Sequence, residues 1–271
     1  MTVFACCVLL TGCGGSDSND RAAPSDQPVD GMFEVGDRKL HLTCDGSGSP
    51  TVILEAGLTG DQRTWDAVVP KIASATRVCA YDRANISTSE AAPTPRTVKD
   101  MVTDLHALVE SGELKPPYVL VGFSFGGLVS QLYASTYPDD VAGLVLIESN
   151  HPDEMKEFEA KLTPAQIKRD RREAAGNPEG VDIPASFDQV QEASALPDRP
   201  LVVITAGQPA EWPPGWDAKV FDRLRAAQQK DLAGRVSDGT QIIAKESGHE
   251  VPSSAPEVVV QGIETVLAKI S

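Results

Sequence analysis

The chain has 271 residues, of which 41% are hydrophobic and 23% are charged, so it is long enough for one large domain with a substantial core. Asp and Glu number 39 against 24 Lys and Arg, which gives a formal net charge of -15. This balance argues against a nucleic-acid partner, because phosphate binding requires a basic surface. The sequence shows neither an internal repeat nor a Cys/His cluster with metal-ligand spacing, so no metal or other cofactor is expected.

The N-terminal segment has the features of an export signal followed by a tether. Residues 3–10 form an apolar run too short to span a bilayer, and a Leu-Thr-Gly-Cys sequence ending at Cys13 follows it. This resembles the bacterial lipoprotein signal, although no Lys or Arg precedes the apolar run. The resemblance implies lipidation of Cys13 and a protein held on the outer side of the cell membrane by that anchor alone. Residues 14–30, rich in Gly, Ser, Asp and Pro, are predicted to be a flexible tether, and the alternative is a disordered tail without a role.

From residue 31 to residue 271 the chain is predicted to form one α/β domain. The predicted elements are a hairpin at 32–44, strands at 51–55, 77–81, 118–121, 143–147, 201–205 and 241–244, and helices at 65–73, 97–111, 217–232 and 256–270. A further helix follows Ser124. Repeated β-α units of this kind predict a doubly wound, mainly parallel eight-stranded sheet with helices on both faces.

The most informative motif is Gly-x-Ser-x-Gly with Ser124 at its centre. It lies between a short apolar run typical of a buried strand and a segment with one apolar face at helical spacing. In that setting the motif is typical of a nucleophile elbow, in which small flanking residues permit a strained turn that exposes the Ser hydroxyl. The helix N-terminus behind it presents free backbone N–H groups to a developing oxyanion. The alternative is a Gly/Ser loop without a role, since the bare motif also occurs by chance.

Ser124 after the fifth predicted strand and His249 after the last one resemble the α/β-hydrolase superfamily, over nearly the whole chain from residue 32. His249 follows Gly248 in the loop before the final helix, which is where the superfamily places its general base. The resemblance implies an α/β-hydrolase fold in which Ser124 is the nucleophile and His249 is the base.

Two further motifs belong to this resemblance. A Glu-Ala-Gly-Leu sequence ending at Leu58 is similar to the glycine loop that supplies an oxyanion-hole amide, so the resemblance implies a hole formed by the backbone amides of Leu58 and Phe125. A Tyr-Asp-Arg sequence ending at Arg83 is similar to the turn after the fourth strand. That turn continues here with Ala84 and Asn85 instead of the usual glycines.

The sequence leaves two regions of the chain as the source of the acid, which is the third member of the triad. Most members of the superfamily carry an Asp shortly after the seventh strand, but residues 205–210 contain no carboxylate. Relatives that resemble haloalkane dehalogenases place the acid after the sixth strand, where Glu148 stands, and a buried Glu would require a partner such as an imidazole N–H. Glu148 is therefore favoured as the triad acid, although it could instead accept backbone N–H groups or pair with Arg83. The alternative acids are Glu211, Asp217 and Asp153.

Residues 151–199, between the sixth and seventh strands, are more than a simple crossover requires. Met155, Phe158, Leu162 and Ile167 have helical spacing within a strongly charged segment. In the superfamily such an insertion is a cap that covers the pocket and selects the substrate. Its few aromatic residues and many charges favour a small or medium ester over a triglyceride.

In the α/β-hydrolase fold the strands that contain Cys44 and Cys79 are neighbours. The resemblance therefore makes a disulfide between them geometrically possible, and export makes it chemically expected. The alternative is a pair of buried free thiols.

These observations predict a serine hydrolase that cleaves a carboxylic ester, or a related acyl bond, of a small molecule through an acyl-enzyme intermediate. Dehalogenase and epoxide-hydrolase reactions are disfavoured because they require a carboxylate nucleophile at the position of Ser124. An acyltransferase, a peptidase or a C–C hydrolase would keep the same triad. A non-catalytic binding protein is a further alternative, and the oligomeric state is left open.

Overall fold

The computed structural model describes residues 27–193 and 195–270, so Cys13 and most of the predicted signal and tether lie outside the described residues. The strands are β1 Val29–Val35, β2 Arg38–Asp45, β3 Thr51–Glu55, β4 Val78–Tyr81, β5 Tyr118–Phe123, β6 Val141–Ile147, β7 Leu201–Ala206 and β8 Gly239–Ala244. They form one sheet in the order β1-β2-β4-β3-β5-β6-β7-β8. Because β1 begins at Val29, the last two residues of the predicted tether belong to this sheet.

The pairing of the strands confirms the predicted sheet. β2 pairs antiparallel with both β1 and β4, whereas every other neighbouring pair is parallel. Cys44 and Cys79 lie directly opposite each other in the β2–β4 pair and are joined by a disulfide, with their Cα atoms 4.1 Å apart. The two thiols are therefore paired as the resemblance suggested.

Helices cover both faces of the sheet. They are α1 Val69–Ile72, α2 Val98–Ser111, α3 Gly126–Thr136, α4 Glu154–Glu159, α5 Pro164–Ala175, α6 Ile183–Gln191, α7 Ala218–Ala233, α8 Val251–Ser254 and α9 Pro256–Ile270. The helix predicted at 65–73 is wrong, since that region contains only a 3₁₀ turn at Gln62–Trp65 and the single turn of α1. Pro70 explains the difference, because a proline inside a longer helix would lose a backbone hydrogen bond and clash with the preceding turn.

The core consists of two apolar layers, one on each face of the sheet. In β5, Leu120 belongs to the layer that contains Leu105 of α2 and Leu128 of α3. Its neighbour Val121 belongs to the opposite layer, which contains Ile263 of α9. Successive side chains of a strand point to opposite faces, so β5 is buried on both sides and ends at Ser124 in the middle of the sheet.

Three helices, α4, α5 and α6, lie between β6 and β7 along the chain. The apolar stripe predicted across 155–167 is divided between two of them because a new helix begins at Pro164, with Thr163 as its N-cap. Phe158 of α4 and Phe187 of α6 are buried. In the described part of the chain, no helix is both long and apolar enough to cross a membrane.

Candidate active site

Ser124 occupies a strained turn between β5 and α3. Its φ is 52°, in the left-handed region that a residue with a side chain rarely adopts. A Cβ atom on Gly126 would lie 2.4 Å from the carbonyl oxygen of Ala56, and one on Gly122 would lie 2.6 Å from Oγ of Ser130. The glycines of the motif are therefore required by close packing of strand, turn and helix, and this packing holds Ser124 at the carboxyl edge of the sheet.

His249 lies in the loop between β8 and α8, beside Ser124. Its Nε2 is 3.1 Å from Oγ of Ser124, although the two residues are 125 positions apart in the chain. The imidazole ring also packs against Phe123, with ring centroids 5.1 Å apart. A hydroxyl at this distance can donate its proton to the imidazole, which is the contact that a nucleophile and its general base require.

Glu148 lies behind His249, on the side away from Ser124. Oε2 of Glu148 is 3.5 Å from Nδ1 of His249, and the Glu148 side chain is 1% exposed. The backbone N–H of Ala206, at the end of the neighbouring strand β7, donates a 2.7 Å hydrogen bond to Oε1 of Glu148. The structure therefore brings together Ser124, His249 and Glu148 in the order of a catalytic triad.

The alternative acids lie elsewhere. Oδ1 of Asp217 accepts hydrogen bonds from backbone N–H groups in the first turn of α7, where Asp217 is the N-cap. Oδ1 of Asp153 accepts a hydrogen bond from the side chain of Gln191. Glu211 is exposed on the wall of a cavity beside His249. Among the described residues, Glu148 is the only carboxylate within ion-pair distance of the His249 ring.

Arg225 of α7 is a member of this site that the sequence did not reveal. Its Nη1 donates a hydrogen bond to Oε2 of Glu148, the same oxygen that faces His249. Its Nη2 donates a longer bond of 3.4 Å to the carbonyl oxygen of Gln208. Glu148 thus accepts a backbone N–H, as one alternative proposed, but its arginine partner is Arg225 and not Arg83. No local motif distinguishes Arg225 from the other basic residues of α7.

The backbone amides of Leu58 and Phe125 lie next to Ser124. A Cβ atom on Gly57 would be 3.4 Å from Cβ of Ser124, so the loop after β3 lies directly against the elbow. Within the described chain, neither the Leu58 nor the Phe125 N–H donates a hydrogen bond to another protein group. Since Phe125 also precedes the first residue of α3, both donors and the helix N-terminus can act on an anionic oxygen bound at Ser124.

Arg83 fixes the loop that contains Leu58. Its Nη1 donates a 2.7 Å hydrogen bond to the carbonyl oxygen of Ala56, and its Nη2 donates one of 2.6 Å to that of Gly57. Glu55 forms a buried ion pair with the same guanidinium, and burial raises the pKa of Glu55. These contacts give Arg83 a role in shaping the loop rather than in holding the triad acid.

Glu179 completes this buried network. It lies between α5 and α6, within the insertion at residues 151–199. Its Oε1 accepts a hydrogen bond from Nε of Arg83, and its Oε2 accepts a 2.9 Å bond from the backbone N–H of Thr59. Burial opposes the charge of Arg83, but Glu179 and Glu55 together raise the pKa of Arg83 above its ordinary value. One buried carboxylate of the insertion therefore ties it to both the arginine and the loop beside Ser124.

Two cavities adjoin the site, one lined by Ser124 and the other by His249. The first has a volume of about 360 Å³, contains Ser124 and is mainly apolar. Its apolar walls include Leu58, Met155, Phe158, Leu162, Ile167 and Phe187. The second has a volume of about 570 Å³ and contains His249 and Glu148. Asn150, Glu154 and Phe158 line both cavities, so they form the boundary between them.

Glu154 is an unusual acid at this boundary. Burial raises its pKa to about 7, and Nδ2 of Asn150 donates a 2.6 Å hydrogen bond to its Oε1. It therefore changes charge in the pH range where many enzymes operate. Among the residues that the structure describes, no three or more His, Cys, Asp or Glu side chains are grouped so that they could hold a metal ion.

Comparison with known proteins identifies the family. Residues 50–246 match the model of the alpha/beta hydrolase fold family, which is more than half of the chain. The protein therefore belongs to the α/β hydrolase fold family, and the resemblance stated from its motifs is confirmed.

The chain is also similar to individual proteins. It is 32% identical over 103 residues to the uncharacterized protein YqjL of Bacillus subtilis (strain 168), an alignment that spans 38% of this chain and 41% of that protein. The chain thus covers less than half the length of this relative. A thermophilic esterase from Thermogutta terrifontis is 22% identical with a TM-score of 0.63, over 90% of this chain and 99% of the esterase. A haloalkane dehalogenase from Agrobacterium tumefaciens C58 is 15% identical with a TM-score of 0.64, over 91% and 98% of the two chains. These structural likenesses show the shared fold.

Proposed function

We propose that the protein is a serine hydrolase that cleaves a carboxylic ester, or a related acyl bond, of a small molecule through an acyl-enzyme intermediate. The observation that carries this proposal is the alignment of three groups. Oγ of Ser124 lies 3.1 Å from Nε2 of His249, and Glu148 lies 3.5 Å from Nδ1 on the other side of the ring. Membership of the α/β hydrolase fold family supports the same reaction class.

In the first half of the reaction, His249 accepts the hydroxyl proton while Oγ of Ser124 attacks the acyl carbon. Glu148 holds Nδ1 protonated and stabilises the imidazolium that forms. The carbonyl oxygen becomes negative and receives hydrogen bonds from the N–H groups of Leu58 and Phe125. Each such donor is worth about 3 kcal/mol in the transition state. The C–O bond of the tetrahedral intermediate then breaks, and His249 returns its proton to the departing alkoxide.

In the second half, water attacks the carbonyl carbon of the ester that joins the acyl group to Ser124. His249 takes a proton from this water, and the same two amides stabilise the second oxyanion. Collapse of the intermediate releases the carboxylic acid and returns the proton to Oγ of Ser124. The apolar cavity of about 360 Å³ next to Ser124 suits a short or medium acyl group.

The direct test is turnover of p-nitrophenyl esters with short, medium and long acyl chains. We expect hydrolysis that is fastest for a short or medium chain, and we expect Ser124→Ala to abolish it. Absence of turnover with every chain length in the folded protein would contradict the proposal, as would undiminished turnover by Ser124→Ala.

We also propose that the protein is exported and anchored by lipid at Cys13, which lies outside the described residues. The disulfide between Cys44 and Cys79 supports an oxidising compartment. Stable anchoring requires more than one acyl chain, since each buried CH₂ contributes about 0.8 kcal/mol. Cys13→Ala should therefore move the protein from the membrane fraction to the soluble fraction. A wild-type protein that is soluble and carries no lipid at Cys13 would contradict the anchor.

A further inference from the structure

We propose that Glu154 is a specificity-determining residue, which restricts the enzyme to esters whose acyl chain carries no negative charge. The substrate class is then an ester of a neutral short or medium acyl chain, and monoesters of dicarboxylic acids are rejected. This inference rests on the proposed serine-hydrolase function and adds the chemistry of the acyl group to it.

The position of the acyl chain follows from the covalent intermediate. The acyl group is bonded to Oγ of Ser124, and Ser124 lines the apolar cavity of about 360 Å³ but not the cavity beside His249. Leu58 and Phe125, whose backbone amides would hold the carbonyl oxygen, line the same apolar cavity. The acyl chain of the proposed intermediate therefore extends into this cavity.

Two hydrogen bonds place Glu154 close to Ser124. The backbone N–H of Asn150 donates a 3.2 Å hydrogen bond to the carbonyl oxygen of Ser124, and Nδ2 of Asn150 donates one of 2.6 Å to Oε1 of Glu154. Asn150 and Glu154 both line the apolar cavity. One residue thus joins the carboxylate to the nucleophile, so Glu154 belongs to the end of the cavity where the acyl chain is attached.

The carboxylate of Glu154 has no cationic partner. Besides the bond from Asn150, it accepts a longer bond of 3.4 Å at Oε2 from the backbone N–H of His151, and both donors are neutral. Within the described part of the chain, no Lys, Arg or His side chain forms an ion pair with Glu154. Once ionised, this residue therefore adds an uncompensated negative charge to the cavity of the acyl chain.

The other charged side chains on the wall of this cavity are paired. Glu159 accepts two hydrogen bonds from Arg171, of 2.6 Å and 2.7 Å. Oδ1 of Asp170 accepts a 2.8 Å hydrogen bond from Nε of Arg169. An anionic acyl chain thus finds no free cation on this wall, and the net charge that it meets is that of Glu154.

The charge of Glu154 depends on pH in an accessible range. Burial raises the pKa of Glu154 to about 7, so its carboxyl group is mostly neutral at pH 6 and mostly ionised at pH 8. A carboxylate on the acyl chain, with an ordinary pKa of about 4, remains ionised over the whole range. Repulsion between the two groups should therefore be strong at pH 8 and weak at pH 6.

Other titratable groups near Glu154 lie on separate elements. Those that line the second cavity are His249, Glu148, Arg225, Glu211 and Glu250. Glu211 and Glu250 are exposed and do not line the cavity of the acyl chain. His151 directs its Nε2 at Asp231, 2.9 Å away. Cleavage of every ester requires neutral His249, so its ionisation scales the rates of two esters equally and cancels in their ratio.

The test compares two ethyl esters that differ in charge but closely match in shape. Ethyl 4-methylpentanoate and monoethyl succinate have acyl chains of equal length, and the second carries a carboxylate in place of the terminal isopropyl group. From released ethanol, we expect kcat/KM at pH 8 to be at least tenfold higher for the neutral ester, and we expect this ratio to fall severalfold at pH 6. Equal or faster hydrolysis of monoethyl succinate at pH 8, or a ratio that is constant between pH 6 and pH 8, would overturn the inference.

A pair of variants locates the effect at Glu154. Glu154→Gln removes the charge at nearly constant volume, so it should lower the ratio at pH 8 severalfold and abolish the dependence of the ratio on pH. Glu264→Gln, on the exposed face of α9, makes the same change in net charge and should leave the ratio intact. A wild-type ratio in Glu154→Gln, or an equal loss in Glu264→Gln, would contradict the inference. If Glu154→Gln does not fold, the pH dependence of the wild-type ratio still decides.

Hydrolysis of the neutral ester separates this inference from the function beneath it. If ethyl 4-methylpentanoate is cleaved in a Ser124-dependent manner while the ratio does not respond to Glu154, the selectivity is wrong and the serine hydrolase stands. If no ester is cleaved, the proposed function itself fails, and the inference fails with it.

Discussion

Glu148 and Arg225 form an ion pair directly behind His249. The two side chains are 1% and 15% exposed, so water screens the pair poorly. The oxygen that accepts the hydrogen bond from Arg225 is the oxygen that faces Nδ1 of His249. The negative charge of Glu148 is therefore shared between an arginine and the imidazole, and we expect Arg225 to be a positioning residue for the proposed triad.

Arg225→Met should change the pH dependence of the reaction. Without the guanidinium, the whole charge of Glu148 acts on His249 and favours the imidazolium, so the acidic limb of the kcat/KM profile should move to higher pH. kcat should also fall, because Glu148 loses one of the bonds that hold it. Arg225→Lys, which keeps the charge, should return the acidic limb toward its wild-type position. An unchanged profile in a folded Arg225→Met variant would show that the ion pair is structural only.

Glu148→Gln tests the assignment of the triad acid. An amide keeps the volume but favours the wrong tautomer of His249, and in the serine-protease template such a change lowers kcat by about 10⁴. Glu211→Gln should be mild because Glu211 does not contact His249, and Asp217→Asn should be mild because Asn also caps a helix.

Glu148→Gln also leaves Arg225 without its anion, so it should lower the free energy of unfolding as well as kcat. The double variant Glu148→Gln/Arg225→Met removes both charges and should recover part of that stability without recovering activity. A nearly active Glu148→Gln enzyme beside an inactive Glu211→Gln enzyme would reverse the assignment.

Glu179→Gln should weaken the link between the insertion and the loop that carries Leu58. The substitution leaves a buried Arg83 with an incomplete set of partners, and breaking such a pair costs about 3 to 5 kcal/mol. Urea unfolding should show this loss, and kcat should fall because the loop no longer holds the amide of Leu58. The matched control is Glu159→Gln, which breaks a more exposed pair with Arg171 and should cost about 1 kcal/mol or less. Equal losses in the two variants would contradict this role for Glu179.

The sequence was sufficient for the parts of the site that depend on local geometry. The glycines around Ser124 are needed because the strand and helix approach too closely for any side chain, and that need is visible as a motif. His249 could be predicted because its loop between the last strand and the final helix is where the resembling superfamily places its general base, at an edge where the fold brings the strand ends together. The same reasoning placed Glu148 at the end of β6.

The remaining parts of the site depend on where separate elements pack. Arg225 stands 77 positions after Glu148, in a helix with basic residues at several positions, and only the packing of α7 against the sheet selects it. Glu179 reaches Arg83 across 96 positions, from an insertion whose path no periodicity specifies. The helix predicted at 65–73 is wrong for a different reason, because Pro70 restricts the helix to the single turn of α1.

The disulfide between Cys44 and Cys79 should contribute strongly to stability. It closes a separation of 35 residues, for which the loop-entropy estimate is about 4 kcal/mol. Cys44→Ala/Cys79→Ala should therefore lower the free energy of unfolding by an amount of this order, measured by urea denaturation under non-reducing conditions. Titration of the oxidised, denatured wild-type protein should find neither cysteine free. Two reactive thiols at these positions would contradict the disulfide.

Covalent labelling tests most directly whether Ser124 becomes acylated. A fluorophosphonate probe reacts with an activated serine, and peptide mass spectrometry then locates the adduct. We predict one adduct on Ser124 in the wild-type protein, a much slower reaction in His249→Ala, and no adduct in Ser124→Ala. Ester hydrolysis by a wild-type protein that carries no adduct on Ser124, or labelling that persists in Ser124→Ala, would contradict acylation of Ser124.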